Sequence, residues 1–116
     1  MTASTVHVPR VGVVEARAWI ASGAEMIDVR DEHEWAAGHS PHSVHVPMST
    51  LSDATTVLSR AHPLVVVSRS GRRAAEAVVH LRAGGLDAHR LEGGLRAWRD
   101  AGGELVSSSG REPRIV

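Results

Sequence analysis

The run Leu64-Val65-Val66-Val67 constrains the chain most tightly. Four consecutive apolar residues, three of them β-branched, stand between Pro63 and a Ser/Gly/Arg cluster. A run of that length with no polar face reads as a strand buried on both sides, the habit of central strands in parallel sheets. Ser68-Arg69-Ser70-Gly71-Arg72-Arg73 then reads as the loop leaving that strand. Beyond it Ala74, Val78 and Leu81 fall on one face of a helix, with Glu76 and His80 off it. A loop that enters a helix directs free backbone N–H groups inward, so with arginines beside it the stretch forms a cradle for an anion.

The same alternation runs through the rest of the chain. Val6 to Val8 reads as a short edge strand ended by Pro9, and Ala16, Trp19 and Ile20 give a helix over Val13 to Ala21 that Gly23 stops. Met26 to Arg30 is strand-like, after which Asp31 caps a short helix through Glu34 and Trp35 to Gly38. Val44 to Val46 reads as another strand, and Leu51, Ala54 and Leu58 as a weak helix finishing before Pro63. Leu86 to Leu91 is a further strand, Gly93-Gly94 a turn, and Leu95, Trp98 and Ala101 line a last helix ended by Gly102-Gly103. Strands alternating with helices argue for an α/β layer around a mostly parallel sheet, whose ligands gather beyond the carboxyl ends of the strands. The expectation is one domain over residues 1–106, with Ser107 to Val116 as a mobile tail.

Composition narrows the function. With 116 residues there is room for one core, and a formal net charge of zero gives no general attraction to nucleic acid or to a membrane surface. No stretch approaches membrane-spanning length and no apolar leader follows a basic start, so a cytoplasmic protein is expected. All 13 basic residues are arginine, which excludes a Schiff-base lysine and a P-loop lysine, and guanidinium forks suit sulfate-like or phosphate-like oxygens. Cysteine is absent, which excludes disulfides, thiolate metal sites and thiol mechanisms in the chain as it stands. There is no GxGxxG after a strand, so no dinucleotide and no other cofactor is expected. His33, His39, His42 and His45 lie in a turn and a short strand, where their spacing does not bring three rings together, and no metal is expected. Trp19, Trp35 and Trp98 read as packing residues.

Three stretches, taken in order, resemble the rhodanese-like family of single-domain sulfurtransferases. MIDVRDEHEWAAGHSPHSVHVP, residues 26–47, is similar to the family's strand, Asp-x-Arg, acidic-aromatic pair and Gly-His-x-Pro turn. VVVSRSGRRAA, residues 65–75, resembles its active-site loop, and LEGGLRAWRDAGGEL, residues 91–105, its closing Gly-Gly and tryptophan helix. Ser40, His42 and Ser43 depart from the family's more usual apolar residue, Gly and Ala. The resemblance implies a three-layer fold with a central, mostly parallel five-stranded sheet flanked by helices. It also implies transfer of sulfane sulfur through a cysteine persulfide, with a loop of six residues suited to sulfur rather than to a phosphate ester.

Carried over by position, the family's nucleophile falls on Ser68, and Arg69, Ser70, Gly71, Arg72 and Arg73 form the anion-binding loop. Asp28 and Arg30 fall as a structural pair beneath it, and His39 as the turn histidine. Arg73, at a helix start, opposes the dipole and needs an anion or carboxylate as partner. A serine hydroxyl ionises far above neutral pH and needs a base to act, and Val67 and Arg69 supply none. The expectation is therefore a catalytically silent module that binds a small sulfur-containing anion, sulfate or phosphate, or a sulfur-carrier or regulatory protein. The alternative is an active sulfurtransferase in which Ser68 replaces a native cysteine. A serine hydrolase using the cradle as an oxyanion site is a more distant third reading.

Overall fold

The computed structural model describes residues 8–116. Five strands and five helices alternate: β1 (Arg10–Val11), α1 (Val13–Ala21), β2 (Glu25–Asp28), α2 (Glu32–Ala37), β3 (Ser43–His45), α3 (Leu51–Ala54), β4 (Leu64–Val67), α4 (Arg72–Ala83), β5 (Ala88–Leu91) and α5 (Gly94–Asp100). A 3-10 turn at Met48–Thr50 leads into α3. The sheet has the order β1-β5-β4-β2-β3, and every pairing in it is parallel.

The all-apolar run becomes the middle strand because it can be covered on both faces. All four residues of β4 are fully buried. Leu64 and Val66 join Ile27, Val29, Ala74, Ala77, Val78 and Leu81 in a core under α3 and α4. Val65 and Val67 point the other way, to Met26, Leu91, Leu95 and Trp98 beneath α1 and α5. Three layers follow directly from the period of two along the strand. Burial of each such side chain contributes about 1.5–3 kcal/mol.

Two expectations are corrected at the chain ends. The first strand lies after Pro9 rather than before it, with Arg10 and Val11 paired to Arg90 and Leu91. Of the expected Val6–Val8 segment, Val8 is not in a strand and the other two residues lie outside the described residues. Proline closes a strand only where its missing N–H would be needed, and here it precedes the paired residues. The segment 107–116, expected as a mobile tail, packs along α2. Val106 and His39 exchange backbone hydrogen bonds of 2.8 and 2.9 Å, the Ser108 N–H donates to Ala36 O (3.0 Å), and the Arg114 N–H donates to Ala37 O (2.8 Å). Ile115 reaches the core beneath α1 and α5. These bonds satisfy carbonyls at the end of α2, which local composition could not reveal.

The expected weak helix at 51–58 is shorter than its apolar spacing suggests, since α3 ends at Ala54 and Leu58 is buried from the turn beyond it.

Docking of the tail depends on the bare backbone of Gly38, because a Cβ there would collide with Arg114 O. Gly38→Ala is expected to release the segment at a cost of about 1–2 kcal/mol. Amide hydrogen exchange checks this: Ser108 and Arg114 should exchange slowly in the parent and rapidly in the variant.

Candidate functional site

The loop that leaves β4 is held at both ends. Ser68 is buried, and its Oγ accepts the N–H groups of Gly71 and Ala74, each at 3.2 Å. Those donors are the residue that caps α4 and one in its first turn, and this 12-residue helix has no acidic residue in that turn. The positive end of its dipole is therefore aimed at residue 68 without a carboxylate of its own to answer it.

From the other side, α5 takes up the loop's carbonyls. The Leu95 N–H donates to Ser68 O (2.9 Å) and the Arg96 N–H to Arg69 O (3.2 Å). Such close approach needs a residue without a side chain at 94, where φ is +62° and a Cβ would lie 2.5 Å from Ser68 O and 2.7 Å from Arg69 O. With the Ser68 and Arg69 carbonyls taken by α5 and the Gly71 and Ala74 N–H groups on Ser68 Oγ, the loop is braced from both sides.

The arginines divide by role. Arg73 donates to Glu34 with both terminal nitrogens, Nη1 to Oε1 at 2.6 Å and Nη2 to Oε2 at 2.8 Å, a fork-to-fork pair that ties α4 to α2. The carboxylate also accepts the Asp31 N–H at the start of α2 (3.0 Å). The hydrogen bonds from Arg73, aided by that from Asp31, hold the Glu34 carboxyl well below its usual range, at about 2, against the opposing effect of burial. The Arg73 guanidinium is pushed correspondingly up, first by its hydrogen bonds with Glu34. Arg69 and Arg72 are exposed and enter no ion pair among the described residues. Ser70 is exposed at the loop tip.

Beneath the loop Asp28 and Arg30 are fully buried and face one another. Arg30 Nε and Nη2 donate to the Asp28 carboxylate at 3.0 and 2.8 Å, and Nη2 also donates to Gly38 O at 2.6 Å. His39 lies outside this cluster. Its ring stacks on Trp35 (centroids 3.6 Å apart) and its Nδ1–H donates to Trp35 O at 2.7 Å. His45 stacks on Trp35 as well, and its Nε2–H donates to Arg30 O at 2.8 Å. His42 instead meets the edge of Trp98. Among the described residues no group of three or more His, Asp or Glu is placed to hold a metal ion.

Two residues with a place in the site escaped the sequence. Glu34, the partner that Arg73 needed, is 39 positions away, and only the acidic-aromatic pair marked it. Arg90, on β5, brings Nη1 to within 3.3 Å of where a side chain on Gly71 would begin, and no local pattern distinguishes it from a surface arginine.

The model of one protein family, described as the rhodanese-like domain, matches residues 13–101. The chain is 32% identical over 91 residues to a thiosulfate sulfurtransferase GlpE of Stutzerimonas stutzeri, spanning 78% of this chain and 84% of that one. Among solved structures it is similar to a rhodanese-like domain protein from Staphylococcus aureus, with a TM-score of 0.74 and 30% identity, covering 86% of this chain and all of that one. It also shares its fold with the BH2092 protein of Bacillus halodurans, with a TM-score of 0.80 and 21% identity over 93% of this chain and 83% of that one.

The Glu34–Arg73 pair makes a pH prediction. Glu34→Gln keeps an acceptor for the Asp31 N–H but removes the charge, and is expected to cost about 1–2 kcal/mol at pH 7 with Arg73 half-exposed. A carboxyl whose pKa is lowered on folding stabilises fully above about pH 4.5 and loses that contribution as the pH falls toward 2. Urea unfolding of both proteins across that window should show the difference shrinking to zero.

Proposed function

The chain belongs to the rhodanese-like domain family, whose relatives here include thiosulfate sulfurtransferases, and on that premise we propose that it is a catalytically silent, anion-binding member of the family. Ser68 occupies the nucleophile position, and the observation that carries the reading is its surroundings. Two N–H groups at the start of α4 converge on Oγ, while no carboxylate or imidazole among the described residues is hydrogen-bonded to it.

For a thiol this arrangement is activating. Converging amides and a helix N-terminus favour the ionised form and bring its pKa down from about 8.5 toward neutrality. The thiolate then attacks the outer sulfur of thiosulfate, the S–S bond breaks, and sulfite leaves with the electron pair. A persulfide remains on the enzyme, and cyanide or a thiolate takes up its outer sulfur and restores the enzyme thiolate. The same cradle cannot do this for serine. The hydroxyl remains protonated at neutral pH, has no base hydrogen-bonded to it among the described residues, and lacks the soft, polarisable sulfur that each step uses.

Binding does not depend on that sulfur. The N–H groups of the loop, Arg69 and Arg72 suit a small oxyanion of the thiosulfate, sulfate or phosphate class, or an anionic group on a sulfur-carrier or regulatory protein, in a cytoplasmic setting. The second reading is an active sulfurtransferase whose native cysteine is replaced by Ser68. It is favoured by the intact geometry of the cradle, with both N–H groups and both α5 contacts in place.

Sulfur transfer from thiosulfate to cyanide, scored as thiocyanate, tests both. The parent is expected to show none above background and Ser68→Cys to turn over, while sulfate or thiosulfate raises the melting temperature of the parent. Turnover by the parent would overturn the silent reading. If Ser68→Cys is also inactive with thiosulfate and with a persulfide donor, the loop lacks more than its sulfur, and the enzyme reading falls.

A further inference from the structure

Arg90 stands in a position that its neighbours make unfavourable. In the register of the sheet it lies directly opposite Arg10 on β1, and like charges in that relation repel. Its guanidinium approaches Gly71, at the positive end of the α4 dipole, with Nη1 3.3 Å from where a Cβ on Gly71 would sit. A cation is least welcome at that end of a helix.

No carboxylate among the described residues forms an ion pair with Arg90. The first turn of α4 has none. Asp87, at the start of β5, is engaged by Arg82 and His89. Exposed Glu92, just past the strand, forms no ion pair among the described residues, and Glu34 is taken by Arg73. Residues 1–7 contain neither Asp nor Glu. Arg90 and the positive end of α4 thus meet beside the loop, with exposed Arg10 opposite Arg90 in the sheet, and an anion is the partner they lack. Local conflict of this kind, left uncompensated, is the mark of a functional position.

Arg90 also differs from Arg69 and Arg72 in how it is held. It is half-buried, its N–H donates to Pro9 O at 2.9 Å, and β4 and β1 pair with its strand on either side. The sheet thus fixes its backbone, and partial burial strengthens the field of its guanidinium. Because the Gly71 N–H itself donates to Ser68 Oγ (3.2 Å), Arg90 Nη1 is at most about 9 Å from that atom.

We infer that Arg90 sets the charge selectivity of the loop, making it prefer a doubly charged tetrahedral oxyanion over a singly charged one of the same shape. The inference rests on the proposed reading of the loop as an anion site. Its physical basis is that Coulomb energy is linear in ligand charge, so removing one fixed cation weakens a monoanion by some factor and a dianion by the square of that factor.

Sulfate and perchlorate, matched in shape and different in charge, are the probes. Each is titrated at constant ionic strength while the backbone amide resonances of Gly71 and Ala74 are followed in the parent, Arg90→Gln and Arg90→Lys. The spectra themselves report whether each variant folds. In the parent both resonances are expected to move, with sulfate binding more tightly. Arg90→Gln should weaken perchlorate about threefold and sulfate about tenfold, lowering the preference about threefold, while Arg90→Lys largely retains it. If sulfate binds the parent and Arg90→Gln with the same preference over perchlorate, or if Arg90→Lys behaves as Arg90→Gln does, the inference falls and the loop reading stands. If neither anion moves the Gly71 and Ala74 resonances of the parent, both fall.

Discussion

The buried pair of Asp28 and Arg30 is the contact on which the functional end of the sheet depends. One arginine meets β2, α2 and β3 at once: its side chain grips Asp28, its Nη2 holds Gly38 O, and its own carbonyl accepts from His45. Two charges so fully withdrawn from water are tolerated because each answers the other, although Arg30 Nη1 is buried without a hydrogen-bond partner among the described residues, and removing one partner of such a pair costs about 3–5 kcal/mol. The pair therefore fixes where α2 begins and ends relative to β2. That placement sets Glu34 where Arg73 can reach it.

The loop after β4 inherits its shape from that chain of contacts and from α5. Arg73 is pulled toward α2, Ser68 and Arg69 hand their carbonyls to α5, and the Gly71 and Ala74 N–H groups close on Ser68 Oγ. The loop is short, and its conformation is set by its contacts with α2 and α5 together with the Ser68 hydroxyl at its start. Preorganisation of this sort is what lets backbone dipoles act on a ligand without rearranging when it arrives.

Much of this was legible locally. The bounds of β4 and α1 follow from an unbroken apolar run and a helical period, and Arg73 announced by its place at a helix start that it needed a carboxylate. What escaped the sequence was non-local. Glu34 as the partner of Arg73, Arg90 beside Gly71, and the docking of residues 108 and 114 on α2 all join positions whose separation no periodicity records. The terminal segment misled for a related reason: Ser and Gly marked it as mobile, but its backbone answers carbonyls that α2 leaves open. The first strand was displaced past Pro9 because two-residue pairing with β5 leaves almost no pattern to read.

The way α5 grips the loop has an evolutionary consequence. Its contacts are to the main-chain oxygens of residues 68 and 69, and Gly94 is the residue that permits them. These α5 contacts thus recognise the backbone of residue 68 rather than the side chain borne there. On the proposed function, a lineage can exchange one atom at residue 68 for another without rebuilding the α5 contacts, which would place gain and loss of catalysis a single codon apart. Descent through such a scaffold leaves the architecture of an enzyme intact long after, or long before, there is a reaction for selection to act on.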